Sequence, residues 1–233
     1  MKVELLAYTP EPEILAALSA STSFKEKGVS LRKHKMTSEK AKKILRRVIS
    51  YGHHSVIEHA SFTFSLEGVS RALTHQLVRH RLASYTQQSQ RYVKITTDNN
   101  DWYVIPPTYD TEEKRMKFKK RMKIMASWYQ EALKDGFPSE DARFYLPNAT
   151  KSNIVVTMNA RELLHFFKLR CCARSQWELR KVATEMLKQA KKIAPVIFEK
   201  AGPSCVALGY CPEGELKPKK CNITEIKNKF LSM

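Results

Sequence analysis

The stretch Arg79-His80-Arg81-Leu82-Ala83-Ser84-Tyr85-Thr86-Gln87-Gln88-Ser89-Gln90-Arg91 decides how this chain is read. Three cationic or protonatable side chains are followed by two serines and a fourth cation. A buried core strand is a poor host for such a run, because unpaired charge is costly to desolvate. A phosphorylated ligand suits it well: guanidinium groups make paired hydrogen bonds to phosphate, and serine hydroxyls add short ones. The residues just before it set its place. Ser70 caps a predicted helix carrying Ala72, Leu73, Leu77 and Val78, so Arg79-His80-Arg81 arrives at a helix-to-loop junction and not along a solvated face.

Working outward, Ser61–Leu66 alternates polar and apolar residues and reads as a half-buried strand. Ser55 and Glu58 stand at capping-box spacing. Thr37 or Ser38 caps a helix through Ile49, with Gly52 just past its end. The chain opens with a strand over 2–7 and a helix beginning near Glu11. Downstream, 91–95 and 103–105 read as short strands, and a long charged helix spans 111–134 until Asp135-Gly136-Phe137-Pro138 breaks it. Ser139 caps a short helix ending before Pro147. Ile154–Met158 reads as a buried strand. Asn159 with Glu162 opens a helix to about Arg170, and Ser175 with Glu178 opens another toward Lys200, where Pro195 marks a kink or an early stop. Helices and strands mixed without regular alternation predict an α+β fold, a mixed or antiparallel sheet flanked by helices. The expected organisation is one domain over 1–202 and a Cys- and Lys-containing tail over 203–233.

Composition narrows the function. The 233 residues are 42% hydrophobic, enough for one sizeable core. No apolar run approaches bilayer length and the start is too interrupted for a signal peptide, so cytoplasmic residence and no membrane partner are expected. The formal charge of +18 implies a positive field and anionic partners. A nucleic-acid-binding module is the competing reading, but no recognition motif is present and the aromatics do not alternate with basic residues as stacking platforms do. No G-x-G-x-x-G and no Walker-type loop occurs, so a dinucleotide must be held by side chains and helix ends. The cysteines, Cys171, Cys172, Cys205, Cys211 and Cys221, are odd in number, which argues against a disulfide framework. Cys205-x5-Cys211-x9-Cys221 fits no standard zinc spacing, and the His53, His54, Glu58, His59 group lacks the H-E-x-x-H order, so no metal is expected.

Arg79-His80-Arg81-x-x-Ser84-x-Thr86-x-x-Ser89-x-Arg91 resembles R-H-R-x-x-S-x-N-x-x-S-x-R, the signature of the flavin-dependent thymidylate synthases, with Thr86 where the pattern has Asn. Gly52-His53-His54-Ser55-Val-Ile-Glu58-His59 looks like that family's G-H-x-[ST]-x-x-E-H segment. Asn159-Ala-Arg161-Glu-Leu-Leu-His165-Phe-Phe-Lys-Leu-Arg170 is similar to its N-A-R-x-[LM]-x-[NH]-F-x-x-L-R segment, and Gln176-Trp177-Glu178 follows in register. The match runs in order from about residue 50 to 180.

The resemblance implies reductive methylation of dUMP to dTMP. FAD carries the hydride, NADPH is the reductant, methylenetetrahydrofolate is the carbon donor, and tetrahydrofolate leaves. It also implies a homotetramer with active sites shared between subunits, and no nucleic-acid partner. Arg170 is the implied catalytic residue, set against the uracil ring to favour ionisation at N3. Gln76, Leu77, Val78, Arg79, Gln87, Gln88, Ser89, Gln90, Arg91, Arg143 and Arg170 are the implied dUMP contacts. His53, Ser55, Arg79, His80, Arg81, Gln87, Asn159, Arg161 and His165 are the implied FAD contacts. Gln87 stands where many relatives carry Glu. Ser89 is read as a binding group and not a nucleophile, since a serine needs an adjacent base. A thiolate from Cys171 or Cys172 is the other nucleophile to weigh, beside buried cysteine as packing material.

Overall fold

A computed structural model gives the architecture and describes residues 1–26, 28–219 and 221–233. Four strands, β1 (Lys2–Tyr8), β2 (Ser61–Ser70), β3 (Ala83–Gln87) and β4 (Lys151–Asn159), form an antiparallel sheet in the order β1-β2-β4-β3. The helices are α1 (Pro12–Thr22), α2 (Ser38–Ser50), α3 (Arg71–Leu77), α4 (Glu112–Lys134), α5 (Ser139–Ala142), α6 (Ala160–Arg170), α7 (Trp177–Ile193), α8 (Ser204–Leu208) and α9 (Ile223–Leu231). This is the α+β class expected from the sequence. Among the described residues no helix is long and apolar enough to cross a membrane.

The chain divides into two compact units. One comprises Met1–Lys2, Leu66–Arg79 and Thr86–Ile154; the other comprises Val3–Ser65, His80–Tyr85 and Val155–Met233, and so includes the 203–233 tail. In the first unit, α4 turns Phe118, Met122 and Ala126 onto Trp102 and Tyr103, while Tyr129 and Ala132 meet Ala142 of α5. Gly136, at φ 86°, ends α4 in the left-handed region that glycine adopts without penalty. In the second unit, Phe62 and Phe64 from alternate positions of β2 are fully buried, as are Phe166 and Phe167 of α6. Phe198 packs edge-on to both Phe62 and Phe167, at centroid distances of 5.5 and 5.9 Å. α7 buries one stripe, Leu179, Val182, Met186 and Leu187, at helical spacing. Its Gln189 accepts from the Leu5 N–H and donates to the Val3 carbonyl, pinning β1.

Capping residues mark the helix starts as the sequence implied. Thr37 accepts from the Lys40 N–H, Ser70 from Leu73 and Asn159 from Glu162. Replacing Asn159 with Ala should lower unfolding free energy by about 1 kcal/mol, the usual worth of such a cap, as read by urea denaturation. An unchanged midpoint would mean that the α6 start is held by packing alone.

Several local readings are corrected. Ser55 caps nothing: residues His54–His59 form a 3-10 turn whose start has no side-chain cap, and Glu58 instead pairs with Arg161. α7 is capped by Gln176, whose side chain accepts from the Leu179 N–H, one residue later than Ser175. α5 starts after Pro138 with no side-chain cap. Residues 91–95 are not a strand, because Ser89 turns the chain: its hydroxyl accepts from the Arg91 N–H and its carbonyl from Val93. Among the described residues, 103–105 make a single bridge, Tyr103 to Thr150, before Pro106 removes a donor. The strand lies instead inside the basic run. β3 takes the edge of the sheet, where its alternating half-buried and exposed residues need only one partner strand.

The tail docks through its last helix. Gly202 gives the close approach, since a Cβ there would stand 3.0 Å from the Phe230 ring. The buried Lys191 ammonium donates to the carbonyls of Phe230 and Glu199.

Candidate functional site

α6 organises one cluster. Glu162, Phe166 and Arg170 stand at i, i+4 and i+8, which puts them on one face of the helix. All three meet His80, whose side chain is nearly enclosed. The His80 Nδ1 lies 3.1 Å from the Glu162 Oε1, and the Arg170 Nε donates to the His80 Nε2 at 2.9 Å. The Phe166 ring stands edge-on to the imidazole at 5.0 Å, and the His165 ring lies 5.7 Å away. The Tyr85 hydroxyl donates to the His80 carbonyl at 2.8 Å.

Hydrogen counting assigns the tautomer. An arginine Nε–H can only donate, so the His80 Nε2 must be bare. The ring proton therefore sits on Nδ1 and is donated to Glu162. Burial, then the charge of Arg170, then His165, push the His80 pKa down to about 4, so the ring is neutral at physiological pH. Burial also raises the Glu162 carboxyl above its ordinary range and lowers the Arg170 guanidinium below its own. The arrangement is a relay of orientation, carboxyl to neutral imidazole to guanidinium. It engages the arginine Nε and, among the described residues, leaves the two terminal nitrogens without a hydrogen-bond partner.

Around this cluster lie exposed polar groups. Arg161 is half-exposed and paired with Glu58, while His53, Ser55, Arg81 and His165 are exposed. Among the described residues, His80, Glu162 and His165 bring ligand-type atoms within 4.8 Å of one another. A metal does not suit them, because both His80 nitrogens are engaged and a guanidinium faces the ring.

The other unit holds its own polar group. The Gln87 amide donates to Thr74 Oγ1 at 3.0 Å and to Ser152 Oγ at 3.1 Å. Arg91 pairs with Glu140, and Arg143 donates to the Glu140 carbonyl. Burial and the neighbouring Arg143 charge together lower the Arg71 guanidinium. Two cations that repel each other gain when an anion binds between them, the usual logic of a phosphate site.

Residues 4–196 match the family model described as thymidylate synthase complementing protein, Thy1. The chain belongs to the Thy1 family. Proteins named flavin-dependent thymidylate synthase resemble this Thy1 chain along its whole length. That of Geobacter sulfurreducens is 48% identical over 233 residues, covering 100% of this chain and 99% of its own. That of Clostridium tetani is 46% identical, covering 99% and 97%, and that of Pyrococcus abyssi is 48% identical, covering 95% and 93%. Among solved structures, the Helicobacter pylori flavin-dependent thymidylate synthase ThyX, complexed with FAD and dUMP, superposes with a TM-score of 0.70 at 22% identity. It covers 87% of this chain and 100% of its own, and at that identity the likeness speaks for the fold.

Within the Thy1 chain the sequence-derived residues fall into the two groups. His80, Arg170 and His165 meet directly, with Asn159 capping the helix that carries them. Arg161, His53 and Ser55 accompany them in the same unit. Gln76, Gln88, Ser89 and Gln90 are half-buried in the other unit, and Arg79 is exposed there. Leu77 is fully enclosed, so it has only backbone to offer a ligand, whereas Val78 is exposed. Glu162, Thr74, Ser152 and Arg71 were not foreseen. Glu162 carried a signal, an acidic residue in a helix first turn, but that signal pointed to capping. The buried Cys171 thiol is pushed up to about 12 by desolvation, which makes it a poor nucleophile and favours the packing reading.

Proposed function

We propose that this protein is a flavin-dependent thymidylate synthase. It methylates dUMP to dTMP, taking the carbon from methylenetetrahydrofolate and the electrons from NADPH through FAD. The carboxyl–imidazole–guanidinium relay at Glu162, His80 and Arg170 carries this reading, beside near-half identity to full-length relatives bearing that name.

The donor set fits FAD. His53, Ser55 and His165 offer exposed hydrogen-bonding groups, Arg81 and Arg161 offer exposed cations for its phosphates, Asn159 offers its amide N–H2 and Gln87 its amide oxygen. FAD, when bound, supplies the hydride. The chain's own residues bind and polarise. The nucleotide phosphate falls to Ser89, Arg91 and Arg143, with Gln76, Arg79, Gln88 and Gln90 as further contacts. The Arg170 guanidinium, held by His80, sets fixed positive charge beside N3 of the uracil and stabilises negative charge developing there. Neutral His80 keeps that cation oriented without competing with it.

A homotetramer with shared sites and a cytoplasmic location complete the proposal. Leu82, Tyr92 and Phe144, each at least 74% exposed, flank the implied ligand residues as a subunit contact would require. The test is the purified protein itself. It should be yellow and should form dTMP only when dUMP, methylenetetrahydrofolate and NADPH are all supplied. A colourless preparation that shifts nucleic acid on a gel would overturn the reading.

A further inference from the structure

Four of the five cysteines border one space. Cys172, which follows the C-terminal end of α6, and Cys205, Cys211 and Cys221 from the tail all line a cavity of about 440 Å³. All are free thiols. Sequence spacing alone gave three cysteines without a fourth; the fold supplies it from more than thirty residues away. Cys171, next in sequence, points elsewhere and is buried.

Between α8 and α9 the chain is tied down by the Arg174–Glu213 ion pair and has few apolar anchors. Tyr210, Leu216 and Leu208 are exposed, and along 207–219 only Cys211 and Pro218 are partly covered. Its ends are anchored, by the buried Cys205 and Val206 on one side and by Phe230 on the other. A loop of this kind, short of apolar anchors and with thiols turned inward, is the usual setting of a structural metal.

The geometry points to a four-thiolate site for one zinc ion, made by Cys172, Cys205, Cys211 and Cys221. Zinc takes four sulfurs tetrahedrally at about 2.3 Å. Among the described residues no three of these thiols lie within 4.8 Å of one another, so four-sulfur ligation requires the loop to contract around the ion. Each thiol releases its proton to solvent as its sulfur bonds the metal, and the closed site carries a net double negative charge. Lys168 borders the same cavity and offsets part of that charge, and Arg174 borders it paired with Glu213. The role is structural: the metal ties the tail to the chain two residues past Arg170, with no open position for substrate.

The experiment is elemental analysis of the full-length protein, expressed with zinc supplied, purified under reducing conditions and gel-filtered. One zinc per chain is expected. C211S and C221S should fall to background zinc, while C171A keeps its full content. Because a Cys variant can fail to fold, the unaltered metal-stripped protein is also titrated with cobalt(II). Tetrahedral thiolate ligand-field bands should appear at wavelengths beyond the flavin absorption and saturate at one equivalent. Zinc at background with no cobalt bands overturns the site. So does iron with inorganic sulfide, or a disulfide among these four residues after anaerobic purification.

Discussion

Arg170→Ala should abolish thymidylate formation and leave flavin bound. The side chain lies at the end of α6 with its Nε on His80, and among the described residues its terminal nitrogens have no hydrogen-bond partner. Fixed charge beside a developing anion in a water-poor site is among the largest single contributions to catalysis, and losing one such donor costs about 10²–10³-fold in turnover. Burial lowers the Arg170 guanidinium from its ordinary value, yet it stays protonated at any working pH, so the charge is permanent. The loss should appear in kcat, with the visible flavin spectrum unchanged. A variant turning over at the unaltered rate would remove Arg170 from the chemistry. Loss of flavin together with activity would make it a binding residue only.

His80→Gln should flatten the acid limb of the stability profile. His80 has an ordinary value of 6.5 and is pushed down to about 4 in the folded chain by burial and by Arg170. Above pH 6.5 the imidazole is neutral whether the chain is folded or not, and contributes no slope. Between 6.5 and 4 the unfolded chain takes up a proton that the folded chain refuses, so stability falls as pH falls and levels off below 4. The full difference is ~3 kcal/mol from the size of the shift. Glu162 works the other way, since burial raises its carboxyl and the folded chain then protonates it more readily. Comparing the native chain with His80→Gln cancels Glu162, because glutamine can still accept from Arg170 and donate to the carboxyl without titrating. Thermal unfolding from pH 7 to 4 should show the native midpoint dropping more steeply than that of the variant. Parallel curves would mean that His80 titrates in the fold as it does in the unfolded chain, and its depressed value would fail.

The helix starts were legible because capping is local. Thr37, Ser70 and Asn159 each bond a backbone N–H within three residues, so their neighbours in sequence are their neighbours in space. What the local pattern could not contain was pairing at a distance. Glu162 has the spacing of a capping-box acid, but its partner is His80, 82 positions away. Ser89 was read for its ligand chemistry, and nothing nearby revealed that its hydroxyl turns the chain and ends the extended run. The basic run was rejected as a core strand for sound reasons of desolvation. An edge strand escapes that objection, and only the sheet order reveals the edge. The candidate residues were legible as motifs. The gathering of Glu162, His165 and Arg170 around the His80 imidazole was not, since it needs α6 and the start of the basic run to meet.

β3 places a constraint on how this protein can diverge. Its residues alternate between half-buried and exposed positions, with Ser84 and Thr86 outward and Tyr85 and Gln87 turned in. Substitution at an outward position changes one group, as at Thr86. Adding or deleting a single residue between His80 and Ser89 would instead reverse every side chain beyond it, turning Gln87 away from Thr74 and Ser152. This segment can therefore drift in composition but not in length, and naturally occurring indels should collect outside it.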